Sequence, residues 1–336
     1  VHRFETSATK QNIVAQIGPS GSDSLGLSGH MDVVPVDGQD WTMDPFEGLI
    51  ENGAIWGRGA CDMKAFLAAT YSILERFPVE RMNRGVTLLW THDEEIGCVG
   101  ASHLPTQCQN LEIPVNILIG EPTSQQIFHH HGGHCTLEVT VRGKSAHSSK
   151  PYLGVSATVW LFEAWGLIRD WQIWLETQPS SITQKPALVN IAQVHAGTAI
   201  NIIPEHGTIR LGLRPMPGHD HLVLIKNLKE RLKPLEKMAL EAGAILKLHV
   251  IQAAAPLYTP LPTALEQAIQ EQRPDTPCSG APFATDGGCL AEMGTKPLIW
   301  GPGSIDVAHQ PNEYVKIEEL NQYEQALEGI LRAWCL

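Results

Sequence analysis

Val86-Thr87-Leu88-Leu89-Trp90 passes directly into Thr91-His92-Asp93-Glu94-Glu95, an apolar run that ends on paired glutamates. Bounded by Gly85 and made of apolar or β-branched residues, the run predicts a buried strand, with Glu94 and Glu95 just past its C-terminal end. Open α/β sheets bind ligands outside those ends. Neighbouring carboxylates repel and resist desolvation unless a cation or a shared proton relieves them. On this stretch alone a solvated acidic loop remains the alternative.

Other predicted strands end the same way. Residues 11–16 and 25–29 read as two strands joined by a Gly/Ser/Pro turn, and the second ends on His30-Met31-Asp32. On extended chain, residues i and i+2 share a side, so Asp32 can hold the imidazole while His30 offers its other nitrogen to a metal. Gly26-Leu27-Ser28-Gly29-His30 is not a nucleophile elbow, because His30 stands where glycine is needed. Asp62 precedes Met63, Phe66, Thr70, Ile73, Leu74 and Phe77 at helical spacing, which places it at or near an N-cap, a sufficient reason for an aspartate. Gly57 and Gly59 before it point to closely packed backbone. The run 113–119 predicts a strand ending on Gly120-Glu121-Pro122, with Pro122 stiffening the turn. In His129-His130-His131 only the first and third share a face of extended chain; a pocket rim or solvated surface is the simpler reading.

From Cys135 the texture changes. Leu137 to Arg142 alternates like a half-exposed antiparallel strand. A helix near 154–170, strands at 187–195 and 207–213, a charged helix at 221–241 and a strand at 245–252 give a β-α-β-β-α-β order. This predicts an α+β ferredoxin-like domain at 135–252, serving as lid and dimerisation module, inserted into an α/β, mixed-sheet catalytic domain made of 1–134 and 253–336. In that resumed domain a short helix at 262–272, the loop Ala284-Thr285-Asp286-Gly287-Gly288 and a strand at 297–300 lead to His309. An amphipathic helix at 316–333 closes the chain.

The bulk numbers agree with two ordinary cores: 336 residues, of which 43% are hydrophobic. A formal charge of -12 without a basic run argues against nucleic acid or an anionic membrane surface as partner. No apolar stretch reaches membrane-spanning length. Seven cysteines without a C-x-x-C pair favour reduced thiols and a cytoplasmic location. Val1-His2-Arg3-Phe4 is neither a signal peptide nor an initiator, so a longer chain is expected.

Strand ends and strand-to-helix turns thus supply His30, Asp62, Glu94, Glu95, Glu121 and His309. Imidazoles and carboxylates form the N/O donor set that zinc accepts. If Asp62 bridges, each of two metals receives three protein ligands, and one glutamate is left as a base beside the water.

Gly29-His30-Met31-Asp32, Gly57-Arg58-Gly59-Ala60-Cys61-Asp62-Met63-Lys64, Asp93-Glu94-Glu95-Ile96-Gly97, Gly120-Glu121-Pro122-Thr123, Gly143-Lys144-Ser145-Ala146-His147-Ser148-Ser149 and Gly301-Pro302-Gly303-Ser304 to His309 resemble, in family order, the dinuclear zinc amidohydrolases. That family includes acetylornithine deacetylase, succinyl-diaminopimelate desuccinylase, aminoacylase and glutamate carboxypeptidase. The resemblance implies two zinc ions per chain, with cobalt able to substitute. His30, Asp62 and Glu121 would hold one; Glu95, His309 and the bridging Asp62 the other. It makes Glu94 the general base, Asp32 the partner of His30, and His147 an oxyanion donor reaching the partner subunit's site in a homodimer. Arg214-Pro215-Met216-Pro217-Gly218, Ala284 to Gly288 and the segment through His309-Gln310-Pro311-Asn312-Glu313-Tyr314 are most similar to acetylornithine deacetylases. That implies a small N-acyl amino acid as substrate, N2-acetyl-L-ornithine in arginine biosynthesis. Arg214 would meet its α-carboxylate, Asn201 the substrate or oxyanion, and Thr285 with Asp286 its cationic end. Structural roles compete for Arg214 and Asn201, since a strand-edge arginine pairs with surface carboxylates as readily. Met31, Ala65, Gly132 and the triple histidine depart from the family pattern. Another acyl amino acid (succinyl-diaminopimelate, acetylcitrulline, a general aminoacylase substrate) is the nearest alternative, and a non-catalytic metal-binding homologue the remote one.

Overall fold

The computed structural model describes residues 1–336, which fall into two compact units: 1–131 with 257–336, and 132–256.

The first unit is built on a nine-stranded mixed sheet. Its centre is parallel: Val86–Thr91 lies beside Leu25–His30, then Asn116–Ile119, then Lys296–Ile299. Both faces of these strands are covered, which is why they read as continuous apolar runs rather than alternating ones; Leu25–His30 is buried at every position. Antiparallel strands finish the two sides, His2–Ser7 and Lys10–Ile17 at one and Ile127–His131 with Leu257–Tyr258 at the other. The run expected to pair from 113 joins the sheet only at Asn116, since Pro114 lacks the N–H a ladder needs. Helices Ala65–Glu75 and Ile317–Cys335 close one core through Phe66, Ile73, Leu327, Ile330 and Leu331, all fully buried. Tyr314–Lys316, Ala54–Trp56 and Leu49–Glu51 form a separate small sheet.

Close packing reaches the strand ends. A Cβ on Gly120 would lie 1.9 Å from the Phe66 ring, so glycine is required immediately before Glu121 for steric reasons. Gly120→Ala is therefore expected to destabilise by about 1–3 kcal/mol or more through overpacking against Phe66. Denaturant unfolding of the variant against the parent chain measures this.

The second unit runs β-α-β-β-α-β. Its four-stranded antiparallel sheet has the order Leu188–Ala196, His206–Arg214, His134–Arg142, Ile245–Ala254. Cys135, Leu137, Val139 and Val141 alternate inward from His134–Arg142 onto helices Ala157–Glu176 and His221–Glu241. The first helix outlasts the expected 154–170 because Trp171 and Leu175 continue the buried stripe of Leu161, Ala164 and Ile168. Asp220 caps the second helix by accepting from the N–H groups of Leu222 and Val223. Leu188–Ala196 is an edge strand, and most of it is exposed.

Candidate metal centre

The parallel strands of the first unit deliver their polar residues to one edge. His30 ends its strand in register with Thr91, from which the chain turns through Asp93 (φ 54°) to Glu94 and Glu95; Glu121 lies just past Ile119. His309 comes from the long loop after Lys296–Ile299, itself at φ 62°.

Asp62 is at the middle of the cluster, in a role different from the N-cap its spacing allows. Helix Ala65–Glu75 begins later, and Asp62 has non-helical backbone (φ -117°, ψ 95°), with a cis peptide to Met63. Its carboxylate faces the strand ends instead. Oδ1 lies 3.0 Å from His30 Nε2, and Oδ2 lies 3.2 Å from His309 Nε2. Glu121 Oε2 approaches the same His30 nitrogen at 3.9 Å, and Glu95 Oε2 the same His309 nitrogen at 2.9 Å. The two oxygens of Asp62 therefore divide the donors into two groups, His30 with Glu121 and His309 with Glu95.

The charges here are tightly coupled. Burial by itself would favour neutral His30, but hydrogen bonds to Asp32 and Asp62 and the charges of Glu121 and Glu94 push its pKa well above the ordinary value. Hydrogen bonds to Asp62 and Glu95 raise His309 to about 10. Burial opposes ionisation of Asp62 as well, yet the two imidazoles hold its pKa below the usual carboxylate range. Glu94 and Glu121 move the other way. Burial, with nearby carboxylates adding to it, raises Glu94 to about 8 and Glu121 well above normal. Glu94 is half-buried over the whole residue, while its carboxyl group is enclosed.

The donor set fits a pair of cations. Ligand atoms on a tetrahedral ion with bonds of about 2.0–2.2 Å stand about 3.3–3.6 Å apart; the spacings of 2.9, 3.0, 3.2 and 3.9 Å bracket that range. Donor atoms of His30, Asp62 and Glu95, and those of His30, Glu94 and Glu121, lie within 4.8 Å of one another. Glu95 Oε1 is buried without a hydrogen-bond partner, an expensive state for a carboxylate oxygen that a cation relieves.

Asp32 lies beside the His30 ring and holds the acidic turn as well. Its main-chain oxygen is 3.0 Å from His30 Nδ1, whereas its carboxylate stands 3.6 Å away. That carboxylate accepts the backbone N–H groups of Glu94 (3.1 Å) and Glu95 (3.2 Å), tying the acidic turn to the end of the His30 strand. Thr285 and Asp286, expected to face substrate, are turned inward at 1% and 2% exposure. The Thr285 hydroxyl bonds with His131 Nε2, and Asp286 Oδ2 accepts from the Thr91 hydroxyl. Asp286 joins Glu94 and Cys98 in a cluster spanning 4.8 Å, and its burial raises its pKa. The position of Asp286 beneath Glu94 had no sequence signal, because its partners lie far away along the chain. The rings of His129 and His130 stack edge to face, and His129 Nδ1 pairs with the Thr259 carbonyl; neither ring belongs to the donor groups.

Within the second unit, His147, Asn201 and Arg214 are all exposed. His147 pairs with Ile202 across a short antiparallel ladder, and Asn201 accepts the Ser148 N–H through its carbonyl. The Ser149 N–H donates to His147 Nδ1 at 3.2 Å, which leaves the ring proton of a neutral imidazole on Nε2.

Residues 26–333 match Peptidase family M20/M25/M40. Acetylornithine deacetylase of Vibrio atlanticus is 32% identical over 350 residues, covering 100% of this chain and 87% of the relative. The Vibrio vulnificus enzyme of the same name is also 32% identical, covering 98% and 86%. Among solved structures, an M20 family metallo-carboxypeptidase from Sulfolobus solfataricus aligns with a TM-score of 0.75 at 20% identity, over 98% of this chain and 89% of that one. A dinuclear metal binding peptidase of the M20 family from Bacillus subtilis aligns at 0.58 and 15%, over 98% and 86%.

Proposed function

The chain belongs to peptidase family M20/M25/M40 and is a metal-dependent amidohydrolase, and we propose that it hydrolyses N2-acetyl-L-ornithine to L-ornithine and acetate. The division of the Asp62 oxygens between His30 and His309, with Glu94 beside them, carries the reaction class. The names of the relatives support the substrate.

His30, Asp62 and Glu121 are proposed to hold one zinc ion, and Asp62, Glu95 and His309 the second, with cobalt able to replace zinc. When bound, such a pair supplies Lewis-acid polarisation and a water that loses its proton near neutral pH. Glu94 takes that proton while the water oxygen bonds to the acyl carbon, then passes it to the leaving nitrogen as the C–N bond breaks. His147, with its proton on Nε2, is proposed to donate to the developing oxyanion of a partner subunit's substrate. Arg214 would receive the α-carboxylate, with Asn201 beside the oxyanion.

A homodimer formed through the second unit is part of this reading, and the exposed edge strand Leu188–Ala196 offers unpaired backbone for it. None of the seven cysteines forms a disulfide, which suits a cytoplasmic enzyme. No helix is long and apolar enough to cross a membrane.

The test compares initial rates on acetylornithine, acetylcitrulline, acetylmethionine and succinyl-diaminopimelate. Each is measured before chelation, after EDTA, and after restoring zinc or cobalt. Acetylornithine is expected to be fastest, with activity lost to EDTA and recovered with metal. Preference for another of the four would transfer the function to that acyl amino acid. Failure on all of them with metal restored would overturn the hydrolase reading.

A further inference from the structure

We propose that Glu313 is the positioning residue of the metal centre, fixing Asp62 directly and His309 through Arg58 and Gln39; this rests on the dinuclear reading above. Glu313 is 0% exposed and belongs to none of the donor groups. Its carboxylate is occupied by the chain leading to Asp62. Oε1 accepts the N–H groups of Cys61 (2.8 Å) and of Asp62 itself (3.0 Å). Oε2 accepts the Gly59 N–H at 3.1 Å and Arg58 Nη1 at 2.6 Å. The Glu313 main-chain oxygen adds the Gly57 N–H at 2.9 Å. A carboxylate has about four acceptor positions, and here one segment of chain takes them all.

The guanidinium extends the hold to the second donor group. Arg58 donates to the Gln39 side-chain oxygen and, at 3.4 Å, to the Gln310 carbonyl, and it lies over the Trp41 ring at 5.2 Å. Gln39 Nε2 donates in turn to the His309 carbonyl at 2.9 Å. One network, buried at Glu313 and Arg58 and exposed where Gln39 meets His309, thus reaches the backbone of the ligand shared between the two groups and that of a ligand specific to one.

A buried ion pair that served stability alone would need only the Arg58–Glu313 contact. Here one carboxylate oxygen is committed to the amides of residues 61 and 62, in a single π-helical turn, Ala60–Lys64, whose backbone departs from helical geometry at Asp62 and Met63. Metal sites tolerate ligand displacements of only about 0.2 Å, and loss of a supporting group typically costs about 10–100-fold in metal affinity. Glu313→Gln keeps the shape but turns an N–H donor toward backbone N–H donors. Gln39→Leu leaves the Glu313 contacts in place and removes the tether to His309, together with the side-chain oxygen that accepts from Arg58 and Trp41.

The experiment titrates Co2+ into metal-free protein, following heat and the visible d–d absorption, with far-UV circular dichroism as the folding check. Leu265→Ala, in the core of helix Ala264–Gln272, controls for general destabilisation. Glu313→Gln is expected to remain folded, bind Co2+ about 10–100-fold more weakly and show shifted d–d bands. Gln39→Leu should show a smaller weakening confined to one of two binding events, and Leu265→Ala the parent isotherm and spectrum. Parent-like Co2+ affinity and spectrum in both Glu313→Gln and Gln39→Leu would overturn the positioning role while leaving the dinuclear reading intact. If Glu313→Gln fails to fold, Gln39→Leu decides alone, by the same criterion. Absence of Co2+ binding to the parent chain would remove the dinuclear reading, and this inference with it.

Discussion

Glu94→Gln is expected to lower turnover by about 10⁴-fold, the upper end for a general acid–base group, while the protein keeps its metal and its fold. Glutamine matches glutamate in shape and retains an oxygen to accept from Cys98 Sγ, which lies 3.5 Å from Glu94 Oε1. Neither proposed metal group uses Glu94 as a ligand, so both donor sets survive. What disappears is the capacity to take a proton from water and return it to nitrogen. Burial, joined by the charges of Asp286, Glu95 and Asp62 and opposed by that of His30, disfavours the Glu94 carboxylate, so folding near neutral pH requires proton uptake there, a cost that glutamine does not carry. The variant should therefore match or exceed the parent in thermal stability when both are metal-free. Single-turnover rates measured beside metal content separate the outcomes. Activity near that of the parent would remove Glu94 from the base role, and loss of metal would make it a ligand.

How much of this was legible depends on the range over which each residue finds its partners. Strands buried on both faces have to be continuously apolar, so Leu25–His30 and Val86–Thr91 announce themselves, and the polar residues at their ends stand out by contrast. The alternation of Cys135, Leu137, Val139 and Val141 in the second unit is equally local. The ligand role proposed for Asp62 is legible only through its company, since its own surroundings spell an N-cap that the later helix start replaces. Glu313 and Arg58 were not singled out at all. In sequence they are ordinary charged residues, and only the return of the chain from residue 313 to residue 58 makes them a buried pair. Thr285 and Asp286 lie in a Gly-rich loop that reads as accessible, yet long-range contacts with His131 and Thr91 enclose them. Periodicity reports which face a residue occupies; it carries no information about a partner two hundred positions away.

The shared role proposed for Asp62 makes its loss different in kind from the loss of any other proposed ligand. Glu95 and His309 serve one donor group, and Glu121 serves the other, whereas the Asp62 oxygens stand 3.0 and 3.2 Å from the imidazoles of both. Asp62→Ala should abolish measurable turnover and leave less than one tightly held metal per chain. Glu95→Ala should strip one group and retain the metal held by His30, Asp62 and Glu121. Electrostatics sharpen the contrast. In the metal-free protein the Asp62 carboxylate faces two imidazoles, both of whose pKa values it raises. Without it, burial, which favours the neutral ring of His30, is opposed only by Asp32, Glu121 and Glu94. A neutral His30 can still bind metal, but with Glu121 alone beside it the group has two protein donors where a stable site needs about three. Metal analysis after dialysis against a weak chelator reads the difference directly. Retention of one firm metal by Asp62→Ala, matching Glu95→Ala, would show that Asp62 serves a single ion, and the two-group arrangement would then have to be abandoned.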